Sequence, residues 1–122
     1  WRDAVVLGLV MTFVLGVGAA VPLSAAQPPA GAGTLLFGWH LGGGDLRPAH
    51  FIGSHAQQLI PLAGWLLWRV CSHRPSGARE RPSGYAQGRA RLSLALFAAA
   101  YTGLWLAAML RGIEGAQWTA MR

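Results

Sequence analysis

The hydrogen-bonding side chains of this sequence gather where a polar stretch turns apolar. In GGGDLRPAHFIGSHAQQLIPL they are Asp45, Arg47, His50, Ser54, His55, Gln57 and Gln58. At about 100° per residue, His50, Ser54, Gln57 and Pro61 share one side of a helix, with Gln58 beside them. His55 falls about 140° round from His50. Pro61 has no amide for the carbonyl of Gln57, which adds a free acceptor to the same region. Imidazoles and carboxamides are costly against hydrocarbon, so this face must meet another helix, a loop or a ligand.

Three uses of such a polar mouth stay open. It can lock helices together, specifying register more than stability, since polar pairs in membranes average only about 0.6 kcal/mol. It can bind a quinone or a lipid head group, with a histidine and Gln58 as hydrogen-bond donors; His50, His55 and Gln58 are the candidate cofactor-binding residues. It can also ligate haem or a metal. The i, i+5 spacing of His50 and His55 prevents one straight helix from aiming both at one ion, so His40 or a methionine would have to complete that site. Asp45 and Arg47 could pair locally, but the more ordinary reading is a solvated helix cap and a phosphate-facing arginine. No serine or cysteine nucleophile stands beside a base, the glycine-rich GAGTLLFGWHLGGG lacks the spacing of a nucleotide fingerprint, and four acids make paired-carboxylate chemistry improbable. The expectation is a protein that is not an enzyme.

The elements that carry this mouth are read from hydropathy. Of 122 residues, 53% are hydrophobic and only 11% are charged, about half the charged share of a soluble domain. Ala4 to Ala26 carries no charge and is long enough to cross about 30 Å of hydrocarbon. Ser24-Ala25-Ala26 before Gln27 has the look of a signal cleavage site, but the apolar run exceeds the usual core of about 7–15 residues, so a retained helix is expected. Pro22 near its end is a candidate kink. A chain beginning at Trp1 is expected to lack a few upstream residues. Residues 27–44 are rich in Gly and Pro and fit an interfacial loop. Asp45 is placed as the N-cap of a second span, with Pro48 in its first turn and Trp65, Trp68 and Arg69 anchoring its far end. Two RPSG segments, at 74–77 and 81–84, mark a polar linker before the third span.

All ten basic residues are arginine, and the formal net charge is +6. Arg69, Arg74, Arg79, Arg81, Arg89 and Arg91 cluster in and beside that linker, so the basicity reads as membrane topology and not as nucleic-acid binding. The single Cys71 excludes an internal disulfide and a cysteine-based metal site. The sequence therefore predicts an all-α integral membrane protein with three transmembrane helices, over about 4–26, 46–70 and 92–110. The N-terminus and the 72–91 loop face the cytoplasm and the 27–45 loop the periplasm, in a multi-pass protein of the bacterial inner membrane. Small residues recur every fourth position on two helices: Gly8, Thr12, Gly16, Ala20 and Ser24, and Ala95, Ala99, Gly103 and Ala107. Both stripes are expected to be helix-packing faces, with Leu9, Phe13, Leu96 and Trp105 turned to lipid or a partner. Tyr101, mid-span, needs an acceptor if buried; Arg111 and Glu114 suit a weak surface pair.

The run Gly43–Arg47 (GGDLR), the run His50–Gln58 (HFIGSHAQQ) and the following LIPL resemble a pattern, GGDLRxxHFxGxHAxQ, in a family of small bacterial inner-membrane proteins. LRGIEG at the end of the third span is loosely similar as well. The likeness covers about a third of the chain and implies a membrane protein without implying an activity. Small size and helix faces that three spans cannot all cover point to a non-catalytic accessory subunit of a larger membrane complex, in contact with lipids and other transmembrane subunits. A respiratory or photosynthetic electron-transfer complex is the expected host, since such complexes recruit small helical subunits that touch quinone, lipid or pigment. The alternative is a stand-alone membrane protein binding quinone or haem at the outer end of the second helix.

Overall fold

The computed structural model describes residues 2–31, 33, 38–72 and 84–118. Its order is α1 (Arg2–Ala25), β1 (Ala26–Gln27), α2 (Arg47–Ser54), α3 (Ala56–Ser72), α4 (Gly84–Ile113) and β2 (Gln117–Trp118). Helix dominates because the apolar runs are long and rich in Ala and Leu, and glycine and proline gather between them. α1 runs through Pro22 to Ala25 without a break in its assigned span.

The second helix differs from the single span expected over 46–70. It is two helices, interrupted at His55. The chain stays helical in direction: the His55 amide donates to the carbonyls of Phe51 and Ile52, and the His55 carbonyl accepts from Gln58 and Leu59. The third helix starts earlier than expected, at Gly84 rather than near Leu92, so residues 84–91 of the expected loop are its first turns. The RPSG segment at 74–77 and residues 81–83 of the one at 81–84, with His73, lie outside the described residues.

The broken rod α2–α3 is the centre of the molecule, packed on α1 along one side and on α4 along another, while α1 and α4 touch little. Their joint core is Met11 and Leu15 from α1, Ala56 and Ile60 from α3, and Ala98 and Tyr101 from α4. At one end α1 and α4 are joined by a two-residue antiparallel ladder, Ala26 opposite Trp118 and Gln27 opposite Gln117. At the other, Arg91 and Asp3 approach to 3.4 Å, both largely exposed.

The α1 stripe lies against α2–α3. A methyl group on Gly8 would stand 2.9 Å from Pro61 Cδ, Thr12 bonds to α3, and Gly16 meets the backbone of Gly53 and Ser54. Ala20 is half-buried and Ser24 exposed. Gly53 answers from α2: a Cβ there would fall 2.7 Å from Gly16 N and 2.8 Å from the Leu15 carbonyl oxygen. The two backbones can cross this closely only without a side chain between them.

The α4 stripe behaves otherwise. Ala95, Ala99, Gly103 and Ala107 are all exposed, and a methyl group on Gly103 would meet nothing within 4 Å. α4 packs instead through Leu94, Ala98, Tyr101 and Trp105, where the larger side chains reach across to the kinked centre. Spacing could not separate these two faces, because both recur at the helical period. Trp105, expected to face outward, lies partly buried in this packing, whereas Leu9, Phe13 and Leu96 are exposed.

The outside of the bundle is apolar. Phe13 and Val14 on α1, Leu62 and Leu66 on α3, and Leu96 and Leu110 on α4 are among the large hydrophobic side chains left exposed. Among the described residues two helical stretches, Arg2–Ala25 and Gln87–Ile113, are long and apolar enough to cross a membrane.

Candidate functional site

At the loop end of the bundle, Asp45 is a buried hub. Its Oδ1 accepts from the Arg47 amide at 3.0 Å and from Arg47 Nε at 2.9 Å; its Oδ2 accepts from Arg47 Nη2 at 2.7 Å and from the His40 amide at 2.9 Å. Arg47 Nη2 also donates to the Gly38 carbonyl at 3.0 Å. The expected solvated cap and phosphate-facing arginine are thus corrected. Leu46 occupies the N-cap position without a side-chain cap bond, and Asp45 with Arg47 clamps the 38–47 loop. The tight fork is possible because a guanidinium presents parallel donors to two carboxylate oxygens. Burial alone pushes the Asp45 carboxyl up, but the Arg47 side-chain bonds, the His40 and Arg47 amides and the Arg47 charge outweigh it and hold it below its ordinary value of 3.8.

This hub sits on the end of α4. The Gly44 amide donates to the Arg111 carbonyl at 3.1 Å, satisfying one of the last carbonyls of that helix. Gly44 has φ +75°, and a Cβ there would approach the Gly115 carbonyl to 3.0 Å, so glycine is required twice over. Gly112 lies against Asp45 and Leu46. The GGDLR and LRGIEG segments, about 65 positions apart, are therefore in direct contact. Among the described residues Arg111 and Glu114 form no ion pair; the carbonyls of both instead face Gly43.

The candidate cofactor residues do not share a partner: His50 and His55 turn to different carbonyls. His50 is half-buried and turns its Nδ1 to the Gly16 carbonyl of α1, 3.3 Å away. His55 turns its Nδ1 to the Phe51 carbonyl at 2.8 Å and stacks on the Phe51 ring, 3.8 Å between centroids. Phe51 in turn meets Trp39 edge-on at 5.2 Å. Gln58 is exposed, on the far side of the break. A carbonyl oxygen only accepts, so each of these contacts is a hydrogen bond when Nδ1 carries a proton. Among the described residues no group of three His, Cys, Asp or Glu is placed to hold a metal ion.

The polar groups that do converge surround the break at His55. The Gln57 amide donates to Thr12 Oγ1 of α1 at 2.7 Å. The Tyr101 hydroxyl of α4 donates to the Ile52 carbonyl, which meets the need for an acceptor. Ser54 Oγ donates to the Phe51 carbonyl at 3.0 Å. Backbone groups freed by a helix break need other partners, and here serine, threonine and the adjoining helices supply them. The role of Thr12 and Tyr101 as paired braces was not legible in the spacing of either helix. One buried side-chain atom has no hydrogen-bond partner among the described residues, the indole Nε1 of Trp105, whose ring lies against Gly18.

No family model matches the chain, and neither a curated protein nor a solved structure matches it.

Proposed function

We propose that the chain is a three-span protein of the bacterial inner membrane, N-terminus in the cytoplasm, serving as a non-catalytic accessory subunit of a larger membrane complex. The second span is α2–α3: each piece is short alone, but residues 47–72 form one rod interrupted at His55, with Leu62, Leu66 and Val70 exposed. The low burial of the long apolar helices, 28% and 22% of their most apolar windows, supports a lipid surround over a soluble core. Arg2, Arg69, Arg89 and Arg91 share one end of the bundle, which supports that end as the cytoplasmic one.

The carrying observation is how the mouth is used. Asp45, Arg47, Thr12, Tyr101 and the Nδ1 atoms of both histidines are all engaged in bracing loop, kink and helix ends to one another. The polar residues hold a shape, and the exposed apolar faces on all three rods are what that shape presents. A host in respiratory or photosynthetic electron transfer suits such a shape, as a small helical module lining a larger assembly. Purification of tagged protein from native membranes in mild detergent tests this. Co-migration with larger membrane subunits is expected; a lone 12.9 kDa species would refute it.

A second reading has its own support. An imidazole whose Nδ1 donates to a backbone carbonyl is the arrangement in which histidine ligates metals and haem through Nε2, and both His50 and His55 place Nδ1 at such a carbonyl. The Trp105 indole N–H, without a partner among the described residues, is a donor that a ligand oxygen would satisfy. On this reading the protein binds quinone or haem by itself. A chromophore or quinone extractable from the pure protein and lost in His55→Ala is the expected result; a colourless, quinone-free preparation would refute it.

A further inference from the structure

We propose that the groove at the arginine-bearing end of the bundle is a binding site for one anionic phospholipid, its phosphate at Arg91 and an acyl chain against its apolar residues. This rests on the bilayer reading above. The groove opens between the first turns of α1, the last turns of α3 and the early turns of α4, with a volume of about 210 Å³. Asp3, Trp68, Gln87 and Arg91 line it as exposed side chains, Ala90 and Leu94 as half-buried ones, and Ala4 and Gly64 are buried. Exposed charged and polar groups beside buried apolar ones suit a lipid at the head-group level.

The charge is complementary. Among the described residues this end carries Arg2, Arg69, Arg89 and Arg91 against Asp3 alone, while at the opposite end Arg47 and Arg111 are balanced by Asp45 and Glu114. Basic pockets between membrane helices on the cytoplasmic side are where anionic head groups bind. Arg91 is free to take part. Its contact with Asp3 is 3.4 Å long with both side chains about three-quarters exposed, 75% and 73%, a weak pair that a phosphate with several oxygens outcompetes. The planar fork of arginine matches phosphate geometry better than it matches this loose carboxylate. Trp68, half exposed beside it, supplies the ring that prefers the interface. Asp3 opposes the ligand, and this sets the sign of the test.

The full-length chain, purified and delipidated in neutral detergent, is titrated with dioleoyl phosphatidylglycerol, with dioleoyl phosphatidylcholine and with inorganic phosphate, and bound lipid is read by native mass spectrometry. Phosphatidylglycerol is expected to bind about tenfold tighter than phosphatidylcholine. Arg91→Gln is expected to weaken phosphatidylglycerol about fivefold and leave phosphatidylcholine unchanged. Asp3→Asn is expected to strengthen phosphatidylglycerol about two- to threefold, a gain that damage to the fold cannot mimic. Equal binding of the two lipids, or no response to both substitutions, overturns the site. Displacement of phosphatidylglycerol by millimolar phosphate shows recognition of a free anion and overturns the lipid assignment. If alkaline carbonate extracts the native protein from membranes, the bilayer reading itself fails; integral insertion without lipid preference removes this inference alone.

Discussion

Thr12 and Gln57 lie 45 positions apart, yet the hydroxyl of the first receives the backbone amide of the second at 2.7 Å. An unbroken helix would aim that amide at the carbonyl of Gly53. On the opposite side Tyr101 donates to the Ile52 carbonyl. The interruption at His55 is thus held from two flanking helices, with one donor and one acceptor supplied from outside.

Thr12→Val keeps the shape of the side chain and removes the acceptor. It is expected to destabilise the detergent-solubilised protein by about 1 kcal/mol, within the range of about 0.6–1.7 kcal/mol for polar contacts between membrane helices. Thr12→Ser should restore most of this. Hydrogen exchange at the Gln57 amide is the direct readout: faster in Thr12→Val, unchanged in Thr12→Ser. Equal exchange in all three proteins would contradict the brace.

Tyr101→Phe leaves the Ile52 carbonyl without its phenol donor and should cost about 1 kcal/mol by itself. Because the two braces act on one interruption, the double variant with Thr12→Val should depart from additivity by at least about 0.5 kcal/mol. A double-mutant cycle of thermal or denaturant unfolding measures the coupling, and strict additivity would show that the braces are independent.

Gly53→Ala and Gly103→Ala have opposite expected effects on chemically identical changes. At Gly53 the new methyl group would meet the backbone of Leu15 and Gly16 at 2.7–2.8 Å, so the helices must part, at roughly 1–3 kcal/mol. At Gly103 nothing lies within 4 Å, and relief of glycine's entropy should stabilise the helix by roughly 0.5–1 kcal/mol. Melting temperatures of the two variants, one lower and one equal or higher than the parent, check the assignment of faces on α4.

Asp45 ties stability to acid pH. Its folded pKa lies below its ordinary value of 3.8, so the carboxylate contributes stability above about pH 4, and this is lost as pH falls through the folded value. Asp45→Asn removes one acceptor oxygen and the charge opposite Arg47. A cost of roughly 2 kcal/mol is expected, discounted because Arg47 is 37% exposed. The variant should lose the acid dependence below about pH 4; an acid limb identical to the parent's would place its origin elsewhere.

The orientation is open to reporter fusions. A periplasm-dependent phosphatase joined after residue 31 should be active, and the same enzyme joined after residue 77 inactive, if the arginine-rich end is cytoplasmic. The reverse pattern would invert the topology and move the proposed lipid site to the outer leaflet.

Much of the fold can be read along the chain because helix propensity and hydropathy are local properties. The uncharged run from Ala4 to Ala26 and the alternation of apolar segments with Gly, Pro and Arg dictate long helices and polar connections before any packing occurs. The small stripe of Gly8, Thr12 and Gly16 is also visible, since four-residue spacing is intrinsic to one helix. Which face of α4 meets its neighbours was a different kind of question. Ala95, Ala99, Gly103 and Ala107 have the same periodicity as the residues that pack, and only the kinked centre, reached by Tyr101 and Trp105, decides between them. The same holds for the mouth: its residue types announce hydrogen bonding, but not that Asp45 would be buried under Arg47, or that His50 and His55 would turn to different carbonyls. A side chain's partner across 34 or 45 residues is set by how helices cross, and the crossing is set by the close approach of Gly16 and Gly53.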